Sequence, residues 1–204
     1  MDLNLHLYAI TPDDLETTAL LAAVEAALRG GVTCLQLRRK SLNDADFIEE
    51  AKALKTLCRK YDVPLILNDR VELVEACGAD GVHIGQQDMS AAVARQKLAC
   101  GKILGVSART VEQAIQAERD GADYLGSGAV FQTSTKLDAK ALPREVLEEI
   151  CRSVAIPVVA IGGITQENAL QLAETGVAGI AVVSAIFSQP NVQQAAEQLA
   201  RWRG

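Results

Sequence analysis

Short apolar runs alternate along the chain with longer amphipathic segments, and the alternation keeps its character throughout. The runs LHLYAIT (5–11), TCLQLR (33–38), PLILND (64–69), GVHIG (81–85), KILGVS (102–107), DYLGSG (123–128), PVVAIG (157–162) and GIAVVS (179–184) read as strands. Each precedes a segment of helical period: DLETTALLAAVEAALRG, NDADFIEEAKALKTLCRKY, RVELVEACG, MSAAVARQKLACG, TVEQAIQAERDG, LPREVLEEICRS, TQENALQLAETG and NVQQAAEQLARWRG. Several of these helical segments close on glycine, which tolerates the left-handed C-terminal position. The junctions LRGGVTCLQL, EACGADGVHI, ERDGADYLGS and AETGVAGIAV repeat one design: a helix ends at Gly, turns in a few residues and enters a strand. Eight βα units of roughly 25 residues predict an α/β fold, a (β/α)8 TIM barrel near the lower end of its usual size. An open doubly wound sheet also alternates strand and helix, but no G-x-G-x-x-G follows the first strand.

Composition narrows the class. The 204 residues are 49% hydrophobic and 23% charged, which suits one soluble domain with a full core, and no linker-like or charged run divides them. A net charge of −6 argues against a general grip on nucleic acid or an anionic membrane, so a bound anion must be met by a local cluster of positive groups. No apolar stretch reaches membrane-spanning length, and the opening MDLNLHLYAITPDD lacks a basic n-region and a long apolar core, which predicts a cytoplasmic protein. The five cysteines are odd in number and include no C-x-x-C, so buried or half-buried thiols are expected rather than zinc or disulfides. The sequence leaves homo-oligomer formation open.

The chemistry collects where the predicted strands end, and in a barrel the C-terminal strand ends face one mouth. Strand 3 runs into Asn68-Asp69 and strand 4 into Gly85-Gln86-Gln87-Asp88, so two neighbouring strands each deliver a carboxylate. Such a pair either shares a proton or shares a cation. Strand 2 ends in Gln36-Leu37-Arg38-Arg39-Lys40, and the loop after strand 6 carries Thr133, Thr135 and Lys136. Carboxylates beside cations and hydroxyls favour Mg2+ bridging to a diphosphate, because that ion takes one or two protein carboxylates and completes its shell with phosphate oxygens and water. Gly162-Gly163 after strand 7 and Ser184 after strand 8 expose backbone N–H groups suited to a second phosphate. Taken singly, these residues are ordinary rim charges, turn residues and helix caps; five strands placing them on one rim is the informative observation.

LYAIT, QLRRK, LILNDRVELV, GADGVHIGQQD, GVSART, GADYLGSGAVFQTSTK, PVVAIGGIT and GIAVVSAI resemble, in order and spacing, the segments of the thiamine phosphate synthase (thiamine-phosphate pyrophosphorylase) family, over nearly the whole chain. The resemblance implies a transferase that condenses 4-amino-2-methyl-5-hydroxymethylpyrimidine diphosphate with a thiazole phosphate, releasing diphosphate with Mg2+. It further implies that Gln36, Arg38, Lys40 and Asn68 hold the pyrimidine diphosphate, and that Asp69 and Asp88 hold the metal. Ser107 and Lys136 complete the diphosphate pocket, and Thr133 and Thr135 contact the thiazole phosphate, which lies on Gly163, Val183 and Ser184. With no cysteine nucleophile and no evident histidine base, catalysis is expected to rest on positioning and leaving-group electrostatics.

The chain departs from the family pattern at four places. Arg39 stands where an acidic residue is common, Ala129 and Gln132 replace prolines, and Arg109 replaces a frequent histidine. Two rivals share the barrel: a thiazole tautomerase, which resembles this chain but carries a histidine in the segment after strand 6, where Ala129 stands, and a ligand-binding regulator that has lost its metal residues. His6 and His83 alternate with apolar neighbours and read as core or barrel lining.

Overall fold

The computed structural model describes residues 3–132 and 141–203. The strands are β1 (Leu7–Ile10), β2 (Cys34–Leu37), β3 (Leu65–Asn68), β4 (Gly81–Ile84), β5 (Ile103–Ser107), β6 (Tyr124–Gly128), β7 (Val158–Ile161) and β8 (Gly179–Val182). All pair in parallel, in chain order, and β8 returns to β1, so the sheet closes into a (β/α)8 barrel rather than an open doubly wound sheet. Each predicted strand lies in place and is shorter by a residue or more at its ends.

Helices α1 (Thr17–Arg29), α2 (Asp44–Arg59), α3 (Val74–Cys77), α4 (Ala91–Lys97), α5 (Val111–Arg119), α6 (Arg144–Ser153), α7 (Ser184–Phe187) and α8 (Val192–Leu199) surround it. Local chemistry starts several of them. Asn43 caps α2 by accepting from the Asp46 N–H, and Thr110 and Asn191 do the same for α5 and α8. Two expected helices are reduced. The segment RVELVEACG folds as a 3-10 turn (Val71–Leu73) leading into the single turn of α3, which ends at the left-handed Gly78. TQENALQLAETG forms only the 3-10 turn Ala169–Leu172. There the Asn168 carboxamide accepts from the Thr165 N–H and donates to the Gly163 carbonyl, while the Thr175 hydroxyl donates back to the Leu172 carbonyl. Side chains thus take backbone partners that a longer helix would need. The short α7, directly after β8, has no counterpart among the expected helices.

Apolar residues form two bodies. The larger lies between strands and helices, built from outward strand residues such as Leu7, Leu35, Leu65 and Leu125 against Leu20, Phe47, Leu54, Leu147 and Ile186. The smaller gathers Tyr8, Ile10, Cys34, Ile66, Tyr124, Val159 and Ala181, which fill the barrel. Tyr8 and Tyr124 meet from strands that are not neighbours, with ring centroids 5.9 Å apart, so both rings lie inside. Alternation then points Gln36, His83, Gly105, Ser107 and Gly126 inward as well. The glycines are required. A Cβ on Gly105 would run into the Tyr124 phenol and the His83 ring, and one on Gly126 would crowd His83. All five cysteines are free; Cys34, Cys58 and Cys77 are buried and Cys151 is half-buried, but Cys100, at the turn after α4, is exposed, contrary to expectation. Among the described residues no helix is long and apolar enough to cross a membrane.

Candidate active site

β3 ends at Asn68, and the chain then makes a sharp turn at Asp69, whose φ of 64° places it in the left-handed region. Aspartate and asparagine enter that region more readily than other non-glycine residues. The turn is fixed on both sides: the Asp69 N–H donates to the His83 carbonyl of β4 at 2.9 Å, and the Asp69 carbonyl accepts from the Val71 N–H at 3.0 Å. The result aims the Asp69 carboxylate at the mouth, where the Asn68 side-chain amide donates to it at 2.6 Å. From β4, Asp88 folds back so that its carboxylate accepts from the Gly85 N–H at 2.7 Å. The two carboxylates stand close enough to share a hydrogen bond when one is protonated. Burial, and next the charge of Asp88, raise the Asp69 carboxyl above the ordinary carboxylate range; the Asn68 amide and the Lys40 ammonium oppose the rise.

Asp69 lines a cleft of about 260 Å3 together with Arg39, Lys40, Asn68 and Arg70. The donor set is all oxygen and carries two negative charges, which fits a hard divalent cation. Among the described residues no group of three or more His, Cys, Asp or Glu side chains could hold a metal, so the ion would need oxygens from outside the protein.

The segment after β2 is held from below. The Arg38 N–H donates to Thr11 Oγ1 at 2.9 Å, its guanidinium lies 3.7 Å from Asp13, and the Lys40 N–H donates to the same aspartate at 3.0 Å. Between them Arg39 turns away from the mouth. Only 7% exposed, it makes a two-pronged pair with Glu50 of α2 (2.8 and 2.9 Å) and donates to the Asp13 carbonyl, while the Thr17 hydroxyl donates to the same Glu50 carboxylate. The departure at Arg39 is therefore an internal strut for the loop that carries Arg38 and Lys40. Arg70 acts likewise: it pairs with Asp44, donates to the Leu42 carbonyl and lies 4.4 Å from the Phe47 ring centre, tying the turn after β3 to the loop after β2. Arg109 donates to the Gly128 carbonyl at 2.6 Å, and so braces the end of β6.

Deeper in the barrel, Gln36 is 3% exposed and donates to Tyr8 Oη at 2.8 Å. Ser107 at the end of β5 lies 3.0 Å from His83 Nε2, and its carbonyl accepts from the Gln86 side chain. On the opposite side of the ring of strands, Gly162 and Gly163 take φ of 100° and 66° after β7, and Val183 and Ser184 form the entry to α7 after β8. Thr133, Thr135 and Lys136 lie outside the described residues, as does part of the loop containing Gln132. The structure thus brings Lys40, Asn68, Asp69 and Asp88 together, sets Gln36 and Ser107 beneath them, and keeps Gly163, Val183 and Ser184 on the β7–β8 side. Sequence reasoning did not single out Tyr8, Tyr124 or His83 as part of the site. Their inward strand positions, in phase with Gln36 and Ser107, were the available signal.

The family model for thiamine monophosphate synthase matches residues 7–186. A thiamine-phosphate synthase of Ruminiclostridium cellulolyticum is 55% identical over 194 residues, covering 95% of this chain and 92% of its own length. One from Methanobrevibacter smithii is 48% identical over 198 residues, covering 97% and 95%. Among solved structures, a thiamine phosphate pyrophosphorylase from Pyrococcus furiosus superposes with a TM-score of 0.90 at 41% identity, covering 98% of this chain and 96% of that one.

Proposed function

Since the chain belongs to the thiamine monophosphate synthase family, we propose how its residues divide the work of joining a pyrimidine diphosphate to a thiazole phosphate. The reaction is the thiamine-forming condensation, which gives thiamine phosphate and diphosphate. In our reading Asp69 and Asp88 hold Mg2+, which when bound neutralises charge on the departing diphosphate. The observation that carries this is the pairing itself. Two carboxylates are drawn together beside Lys40, and burial, then the charge of Asp88, raises the Asp69 carboxyl above its ordinary range.

The chain's own groups do the rest. Asn68 fixes the orientation of the Asp69 carboxylate through its 2.6 Å hydrogen bond. Arg38 and Lys40, on a loop braced by the Arg39–Glu50 pair, add positive charge at the diphosphate, joined by Lys136 from the loop after β6. Gln36 sits deep in the barrel, the place for the pyrimidine ring, and Ser107 at the end of β5 completes the diphosphate pocket. Thr133 and Thr135 reach the thiazole phosphate, whose phosphate rests on the backbone N–H groups of Gly163, Val183 and Ser184. Ionisation of the C–O bond leaves a cation stabilised by the ring amino group, and the thiazole nitrogen attacks it. The protein therefore contributes position and electrostatics rather than proton abstraction.

The test is to incubate the protein with both substrates and Mg2+ and to follow thiamine phosphate, alongside Asp69→Ala, Asp88→Ala and excess EDTA. Product is expected only with the divalent ion, and each alanine variant should lose most of the rate, because the lost electrostatic stabilisation is worth several kcal/mol. Undiminished turnover by either variant in EDTA overturns the metal assignment.

A further inference from the structure

The loop after β1 reaches across to the segment after β2 and bonds to three consecutive residues of it. At the end of β1 the Thr11 N–H donates to the Gln36 carbonyl at 2.9 Å, just past the last paired residues of the two strands, Ile10 and Gln36. From there side chains take over. The Thr11 hydroxyl, on a residue with no exposed surface, accepts from the Arg38 N–H at 2.9 Å and donates to the Arg38 carbonyl at 3.3 Å. Two residues on, the Asp13 carbonyl accepts from the Arg39 guanidinium at 2.9 Å, and Asp13 Oδ1 accepts from the Lys40 N–H at 3.0 Å. Asp13 Oδ2 lies 3.7 Å from the Arg38 guanidinium. Pro12, between the two, restricts the backbone that sets their spacing.

We propose that Thr11 and Asp13 are positioning residues for the diphosphate, which fix the backbone from which Arg38 and Lys40 reach it and act only through those two cations.

The need for such a device follows from where β2 stops. The strand ends at Leu37, so ladder bonds do not hold Arg38 or Lys40. Both side chains are long and rich in rotamers, and ordering them on a ligand costs less when the backbone beneath is already fixed. The Arg39–Glu50 pair anchors the middle of the segment to α2, while Thr11 and Asp13 anchor its two flanks from the side of β1. The two anchors differ in charge. Thr11 is neutral, whereas the Asp13 carboxylate places a negative charge near the seat of an anion, which by itself opposes binding. Its contribution therefore lies in the acceptor it offers to the Lys40 N–H, and an asparagine can offer the same acceptor.

This rests on the reading that Arg38 and Lys40 meet the diphosphate, and the experiment separates the two claims. Dissociation constants of the pyrimidine diphosphate with Mg2+, and of the thiazole phosphate alone, are measured calorimetrically. Thr11→Val exchanges the hydroxyl for a methyl and should weaken the pyrimidine diphosphate by about fivefold or more, with the thiazole phosphate unchanged. Thr11→Ser keeps the hydroxyl and should restore binding. In the Arg38→Ala, Lys40→Ala background the same Thr11→Val change should add less than about a further twofold, because the groups it acts through are gone. If Thr11→Val does not fold by circular dichroism, the half-buried Asp13 gives the parallel test: Asp13→Ala should weaken the diphosphate and Asp13→Asn should not. Wild-type constants in Thr11→Val and Asp13→Ala, or equal weakening of both ligands, overturn the proposal, as does a full Thr11→Val effect without the two cations. If instead Arg38→Ala and Lys40→Ala themselves bind the diphosphate as wild type does, the reading of those cations falls and the proposal goes with it.

Discussion

Replacing Glu50 by leucine strands the Arg39 guanidinium among groups that admit almost no water. Both residues are nearly inaccessible, 7% and 3% exposed, and three hydrogen bonds converge on the carboxylate, two from Arg39 and one from Thr17. Removing one member of a buried, well-bonded pair costs about 3–5 kcal/mol, since the survivor is left charged and unpaired. In a domain of this size each kcal/mol moves the midpoint of thermal unfolding by about 2–4 °C, so the expected fall is about 6–20 °C. Arg39→Met should cost a similar amount. The double variant Arg39→Met, Glu50→Leu should recover most of the loss, because an apolar pair of similar volume is often neutral against a buried ion pair. Urea denaturation of the four proteins, closed as a double-mutant cycle, measures the coupling. A single variant within about 1 kcal/mol of wild type would refute the reasoning, for it would mean that solvent reaches the pair as it reaches surface ion pairs.

Asp69→Asn should stabilise the metal-free protein at neutral pH. Because the folded state raises the Asp69 pKa, the protonated carboxyl favours folding at low pH and that contribution is lost as pH rises through the folded value. The gain from asparagine should therefore fade on acidification toward the ordinary carboxylate range, and thermal melts in EDTA across pH check it; a gain that grows toward acid pH contradicts the sign. Lys136→Ala should lower kcat more than it raises KM, since charge builds on the diphosphate in the transition state; steady-state kinetics showing only a KM change would make it a ground-state clamp. Ser184→Asp should weaken thiazole phosphate and spare the pyrimidine diphosphate, and Arg38→Ala should do the reverse. Calorimetry of each ligand against each variant decides this, and equal weakening of both ligands by both variants would favour a single shared phosphate pocket.

The barrel was legible because its signal is a period repeated eight times, so a misjudged helix after strand 3 or 7 did not change the count. Those two helices failed for local reasons. A left-handed aspartate and a carboxamide bonded to its own backbone do not alter apolar spacing, which is what the period measures. At the mouth, Asn68, Asp69 and Asp88 were readable because polar residues interrupt apolar runs at strand ends. Arg39 was readable only as an oddity, since nothing in QLRRK says that the middle cation turns inward to meet a glutamate eleven residues later. The contacts among Tyr8, Tyr124 and His83 inside the barrel escaped for the opposite reason. Tyrosine and histidine inside a strand satisfy the apolar alternation, and their hydroxyl and ring nitrogens become visible only once non-neighbouring strands face each other.

The left-handed turn at Asp69 has a bearing on how this position could drift. A substitution ranking by charge would put glutamate first, yet glutamate enters that backbone region far less readily and carries its carboxylate one methylene farther out. A ranking by backbone puts glycine and asparagine first, and neither has a charge to offer. The two rankings share a single member. Saturation of codon 69 under selection for growth without external thiamine should accordingly return aspartate alone, while the same library screened only for soluble protein should return asparagine and glycine beside it.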